Sequence, residues 1–369
     1  MPATAAAEKL INPPSTSNKH RYRPEIDGLR AFAVVAVIIN HFNKELLPSG
    51  YLGVDIFFVI SGFVITSSLA NKSHVNTVEL LKSFYARRCK RLLPTLLVFT
   101  ITTSILIALV NPNSGNYLLT GISGIFGVSN IYLYSNATNY FAQSAELNPF
   151  LHTWSLGVEE QFYLLFPLIA CLTGFATQAK NHHQRRLFTA IITVISAISF
   201  SYFYHQNQFN QPAAYFLMPA RFWEIALGVL AFQWIPIQSR YINQLISVPP
   251  SAILILMTAT MFLKPGAATL TTISITSLTA LLIINLKPET ITYNVLTKRR
   301  IVYIGLISYS LYLWHGLVIA WSRWTIGIHW WSAPLQIIIM LALADFSYRY
   351  IEQPFRNAKT SNRKIFLAG

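Results

Sequence analysis

What most constrains this chain is its supply of apolar runs long enough to cross a lipid bilayer. A spanning helix needs about 20 mostly apolar residues. Ten stretches meet that requirement: 29–46, 52–70, 92–110, 156–177, 187–205, 216–235, 246–263, 268–286, 302–321 and 334–352. An eleventh, 117–134, is apolar but interrupted by Gly121, Gly124 and Gly127. Charged residues make up only 11% of the 369 residues and AVILMFWYC residues 53%. Soluble domains carry roughly 25% charged residues, so a cytosolic enzyme and a disordered chain are both excluded. Two cysteines exclude a disulfide-stapled secreted domain. The net charge of +15 accompanies long apolar runs, which points to membrane orientation and not to nucleic acid.

Charge then predicts a topology. Lys72, Lys82, Arg87, Arg88, Lys90 and Arg91 form one basic loop, and Lys180, Arg185 and Arg186 another. Positive loops stay in the cytoplasm, so an even number of crossings must separate the two. That holds if 117–134 is re-entrant or interfacial and 111–155 is extracytoplasmic; re-entrant backbone is tolerated where it lines a protein cavity. The expectation is an all-α polytopic membrane protein of about ten transmembrane helices with both termini cytoplasmic. Only Lys44, Arg221, Lys264 and Arg323 then lie away from the cytoplasmic side. The expected organisation is a disordered tail over 1–24, a membrane-embedded domain over 25–355 and a basic tail over 356–369, with no soluble catalytic domain after the last crossing.

Ionisable groups inside such spans are costly and mark function by default. Arg30 and His41 are eleven residues apart, roughly 20° beyond three full turns, so they share one helix face about 16 Å apart along the axis. Asp55 sits near the top of the second span, with Ser61 and Gly62 near its middle. Small residues such as Gly62 more often permit close helix packing than anything else. Glu159 and Glu160 are adjacent, about 100° apart on a helix, so at most one faces a given cavity. Arg221 and Glu224, at i and i+3, have the spacing of a structural ion pair. Ser308, Tyr309, Tyr312 and His315 place polar groups in the ninth span. His41, Asp55, Glu159, Glu160 and His315 all fall in the outer half of their spans, which predicts a shared polar cavity.

The run FYARRCKRLLP is different in kind. Arg87, Arg88 and Arg91 form a compact cationic cluster at an expected helix start. Retention of a positive loop beside anionic lipid would explain the charge; a phosphate clamp would also use it, since arginine offers a planar bidentate fork. No metal set stands out: HExxH, CxxC, GxSxG and the Walker phosphate loop are all absent.

Seven blocks in order, RPEIDGLRAFAVVAVIINHF, GYLGVDIFFVISGF, FYARRCKRLLP, LHTWSLGVEEQFYLLFPL, PARFWEIALG, ISYSLYLWH and YIEQPFR, resemble the acyltransferase-3 family of integral-membrane acyltransferases, which includes bacterial polysaccharide and lipopolysaccharide O-acetyltransferases. The resemblance runs from about residue 23 to 356. It implies residence in the bacterial inner membrane and acetyl-CoA as acyl donor from the cytoplasm. The implied acceptor is a hydroxyl of a surface glycan or lipid-linked glycan on the outer side. It also implies that Arg30 and His41 are the family's Arg-ten-His motif. Many relatives fuse an SGNH-type domain after the spans, so this chain is expected to be a stand-alone form.

Residues and resemblance together predict one mechanism. Arg87, Arg88 and Arg91, with Arg30, hold the CoA phosphates. His41 is the general base that takes the acceptor hydroxyl's proton, oriented by Glu159, Glu160 or Asp55. Ser61, Trp154 or Tyr309 hydrogen-bonds the thioester oxygen as charge develops, and His315 or a glutamate stands next in line as base. No metal is expected. The expected partners are acetyl-CoA, the glycan acceptor, membrane lipid and a second copy in a homodimer, with no nucleic acid. The rival is a transporter or flippase of a glycan or acyl carrier, against which stands the absence of inverted halves.

Overall fold

The computed structural model describes residues 22–70, 76–111, 114–136, 147–179, 181–235, 248–264, 266 and 268–358. The described residues form helices and connecting turns, with no strand. The predicted tails 1–24 and 356–369 fall almost wholly outside them.

α1 (Pro24–Phe42) opens with proline in its first turn beside Glu25 and Asp27. Proline lacks the amide hydrogen that a helix start cannot satisfy, and acids there complement the helix dipole. A 3-10 turn leads into α2 (Gly53–Ala70). α3 (Thr77–Val110) runs for 34 residues, capped by the Asn76 side chain on the Val78 amide. Two short helices follow, α4 (Gly115–Ile125) and α5 (Ser129–Ser135), joined at Gly127, whose φ of 66° is a left-handed conformation open to glycine at little cost. Then come α6 (Thr153–Leu172), α7 (His182–Phe209), α8 (Gln211–Phe216) and α9 (Met218–Trp234). The remainder is α10 (Pro250–Met261), α11 (Ala268–Asn285), α12 (Ile291–Leu296), α13 (Arg299–Leu306), α14 (Ser308–Trp324) and α15 (Ala333–Ser347), with a π-helical turn over Tyr348–Glu352 and a last short helix, α16 (Gln353–Asn357).

The all-α, multi-pass membrane character holds; the count of ten does not. Among the described residues six helices are long and apolar enough to cross: Gly50–Ala70, Thr77–Val110, Thr153–Leu172, His182–Phe209, Gln211–Trp234 and Ala268–Asn285. A seventh is reached only if α13 and α14, bent by 67° at their junction, are taken as one span. Three predicted crossings drop out for physical reasons. The stretch 29–46 belongs to α1, which carries Glu25, Asp27 and Arg30 and ends at Phe42. The stretch 246–263 yields a helix of 12 residues, about 18 Å long against a hydrocarbon core of about 30 Å. The stretch 334–352 yields 15 α-helical residues before the π turn. With the count changed, alternation of ten crossings no longer assigns the termini to the cytoplasm. The broken segment 117–134 does resolve into helices of 11 and 7 residues, each too short to cross.

The helices pack through close backbone approaches. A Cβ on Gly62 would lie 1.9 Å from the Ile225 carbonyl oxygen, and one on Gly228 would lie 1.8 Å from that of Val59. The α2–α9 crossing is therefore possible only with glycine on both sides, the small-residue packing that membrane helices favour. Outward-facing apolar residues such as Val194 and Ile198 on α7, 58% and 65% exposed, suit contact with lipid.

Candidate active site

α1, α2, α3, α6, α9, α13, α14 and the π turn line a cavity of about 500 Å³. One end is cationic. Arg23 and Arg30 reach it from the start of α1, Arg88 and Arg91 from α3, and Arg356 from α16. Several of these charges are held by carboxylates or aromatic faces. Arg23 pairs with Glu25 at 2.5 Å, and Arg30 with Asp27 at 3.4 Å. The Arg88 guanidinium lies 4.8 Å from the centre of the Tyr163 ring, a cation–π distance. The Arg91 Nε is buried without a hydrogen-bond acceptor. Glu352, 1% exposed, enters the wall from the π turn, a wide-turn geometry frequent at functional sites.

The middle of the cavity carries a tight polar triangle. Ser61 Oγ donates to Glu159 Oε1 at 2.9 Å. Tyr163 OH donates to Glu159 Oε2 at 2.7 Å and lies 3.2 Å from Ser61 Oγ. Ser155, Glu159 and Tyr163 are spaced i, i+4, i+8 along α6, and all three line the cavity because that spacing keeps one helix face.

At the far end the wall is Ser155 and Tyr312, and beyond them lie three imidazoles. The cavity touches α1 no further than Arg30, and α14 at Ser308, Tyr309 and Tyr312 but not at His315. His315 is one turn beyond Tyr312, its ring 5.2 Å from those of Tyr312 and His41 and 4.9 Å from that of His152. His152 and His315 are buried, each with an Nε2 that has no partner. His41 Nδ1 lies 2.8 Å from the Val37 carbonyl oxygen, one turn back on α1, and Arg323 donates to the His41 carbonyl at 3.0 Å.

The structure thus divides residues expected around one cavity among several places. Arg30, Arg88, Arg91, Ser61, Glu159 and Tyr309 line it. Arg87 is exposed and donates to Ser83 Oγ at 3.1 Å; α3 starts at Thr77, three turns before the cluster, so Arg87 and Arg88 diverge around a continuing helix. Glu160 packs against Gly127, whose Cβ would come within 3.1 Å of it. Asp55 gives its carboxylate to Arg221 at 2.9 Å, and Glu224 meets the same guanidinium nitrogen at 2.6 Å. Trp154, 5.7 Å from that guanidinium, belongs to this second group and not to the cavity. Tyr309 OH is engaged by the Leu92 carbonyl at 2.9 Å. Among the described residues no three His, Cys, Asp or Glu side chains converge as metal ligands.

Sequence reasoning passed over His152, Ser155, Tyr312 and Glu352 as site residues. The periodicity that could have found two of them was present: Ser155 precedes Glu159 by four residues, and Tyr312 precedes His315 by three, so each shares a helix face with a residue already singled out.

Comparison with known proteins adds an independent line. The family model described as "Acyltransferase domain" matches residues 23–348, a range that contains nearly every cavity-lining residue. A putative O-acetyltransferase of Staphylococcus aureus strain MSSA476 is 36% identical over 359 residues, covering 92% of this chain and 58% of that protein. The O-acetyltransferase OatA of Staphylococcus aureus strain NCTC 8325 is 34% identical over 367 residues, covering 95% of this chain and 58% of that protein. The chain therefore spans little more than half the length of the curated relatives it matches. No solved structure matches it to a significant degree.

Proposed function

Because this chain belongs to the acyltransferase-3 family, we propose that it is an O-acetyltransferase of the bacterial inner membrane, moving an acetyl group from acetyl-CoA to a hydroxyl of an extracytoplasmic glycan. The observation that carries this reading is a single cavity, cationic at one end and closed at the other by two hydroxyls backed by three imidazoles. A donor with phosphates at one end and a thioester at the other suits that polarity. Arg88 and Arg91, with Arg30, are the phosphate ligands; arginine is favoured because its fork meets phosphate oxygens in pairs. The concentration of positive residues around this end supports a cytoplasmic position for it.

The chemistry needs a base near the thioester and a way to stabilise negative charge. A glycan hydroxyl is a poor nucleophile, and His41 accepts its proton as the oxygen attacks the thioester carbonyl. The C–O bond forms, the C–S bond breaks, and the thiolate of CoA takes that proton from His41. Glu159, held by Ser61 and Tyr163, keeps an anionic or hydrogen-bonding group in the path between the two ends. Arg87, Glu160, Asp55 and Trp154 act outside the cavity, on packing and ion pairing. The test is on whole cells: surface polysaccharide from a deletion strain should lack alkali-labile acetyl groups that return on complementation. Equal acetylation in the two strains would contradict the reading.

A further inference from the structure

The end wall of the cavity contains an arrangement that the roles above leave unused. Ser155 Oγ and Tyr312 OH lie 2.8 Å apart. Both reach the same acceptor, the backbone carbonyl of His152, Ser155 at 3.2 Å and Tyr312 at 3.0 Å. Either hydroxyl alone satisfies that carbonyl. Either can therefore turn its proton into the cavity without orphaning a buried group, which is the usual penalty for recruiting a buried donor.

Other hydroxyls on the cavity wall are less suited. Ser61 and Tyr163 are committed to Glu159, and Tyr309 to Leu92. Ser308, at the first residue of α14, lies a full turn further from the histidines than Tyr312. Tyr22 is bonded to Asp27 at the arginine end.

Resting on the acetyl-transfer reading, we propose that Ser155 and Tyr312 form the oxyanion site for the thioester carbonyl. As the acceptor oxygen attacks, the carbonyl π electrons move onto oxygen, and a hydroxyl proton of the pair hydrogen-bonds the developing charge. Collapse restores the C=O bond as the C–S bond breaks, so the pair gains and loses no proton. The attacking oxygen approaches from the histidine side of the pair, so its proton passes to the imidazole group there and then to the departing thiolate. Donors aimed at developing charge in a water-poor site are among the largest contributors to catalysis.

Redundancy gives the pair a distinctive signature. Tyr312→Phe or Ser155→Ala alone leaves one donor, for which the His152 carbonyl and the thioester oxygen compete. Each single variant should therefore lose less than the double variant, which leaves none. The double variant is expected to lose about 10²–10³-fold in kcat with the KM for acetyl-CoA unchanged. The decisive readout is infrared difference spectroscopy of carbonyl-labelled acetyl-CoA bound to the purified full chain in nanodiscs. The wild type should shift the thioester C=O stretch to lower frequency than in free acetyl-CoA. The double variant should bind equally and lose that shift. A bound carbonyl that is unshifted in the wild type, or still shifted in the double variant, overturns this inference alone. A wild-type protein that binds no acetyl-CoA overturns the donor reading and this inference with it.

Discussion

Two groups inside this molecule are built around arginine, and they differ in what faces the guanidinium. In the first, Asp55, Arg221 and Glu224 are each no more than 5% exposed and meet at a single guanidinium nitrogen. Arg221 Nε is held by the Tyr215 carbonyl at 3.0 Å, and Trp154, Tyr215 and Phe203 surround the guanidinium at 5.3–5.8 Å. In the second, Arg30, Arg88 and Arg91 border about 500 Å³ of open cavity. α2 supplies both groups, with Asp55 in one and Ser61 in the other; six residues turn the helix by about 240° net, onto another face. α6 does the same with the adjacent residues Trp154 and Ser155. A closed ionic group sets one guanidinium between carboxylates of two helices, with no open space beside it for a ligand, and acts as a fastening between those helices. An open one leaves cationic groups facing space, and that is what an anionic ligand requires.

The comparison breaks most readily at Arg221. Replacing it with leucine leaves Asp55 and Glu224 buried without their cation, and losing one partner of a buried ion pair costs about 3–5 kcal/mol. The Arg221→Leu variant should melt well below the wild type in detergent, or fail to accumulate in the membrane. Melting with the wild type would remove the contrast. Next in size is His41→Gln, expected to reduce acetyl transfer by about 10²-fold or more while acetyl-CoA affinity, measured by calorimetry, stays unchanged. Substantial residual transfer would pass the role of base to His315 or His152. Arg91→Ala should weaken acetyl-CoA binding by about 1.5–3 kcal/mol, as loss of a charge-assisted contact does, and Arg91→Lys should recover only part of it. Smallest is Arg87→Ala. Its side chain is exposed and turned to Ser83, so binding should change by no more than about 0.5 kcal/mol. An effect as large as that of Arg91→Ala would show that the exposed arginine joins the clamp.

How much of this was legible beforehand depends on which interactions are local. The membrane character follows from hydropathy, which needs no tertiary information. So does the division between Glu159 and Glu160, since adjacent helical residues diverge. Hydropathy windows fail where a helix ends inside an apolar stretch. The stretch 246–263 is mostly apolar, yet Pro250 starts its helix and Phe262 follows its end, so composition overstates the helix. The opposite occurs in α3, which continues back through Arg91 to Thr77 under the Asn76 cap, although those residues are too charged to read as part of a span. Asp55 was legible as a costly carboxylate within a span; that it pairs with Arg221 and not with His41 depends on the α2–α9 crossing through Gly62 and Gly228. The wall of Ser155 and Tyr312 depends likewise on where α6 meets α14, which no spacing within either helix specifies.

The central claim is that the arginine-lined cavity receives the phosphates of acetyl-CoA. Titration of acetyl-CoA into purified, correctly inserted wild-type protein and an Arg88→Ala, Arg91→Ala double variant measures it directly. The account predicts saturable binding by the wild type and at least a hundredfold loss of affinity in the double variant, on the order of 2.8 kcal/mol or more. Equal affinity of the two proteins for acetyl-CoA would contradict it and return these arginines to a role in membrane orientation.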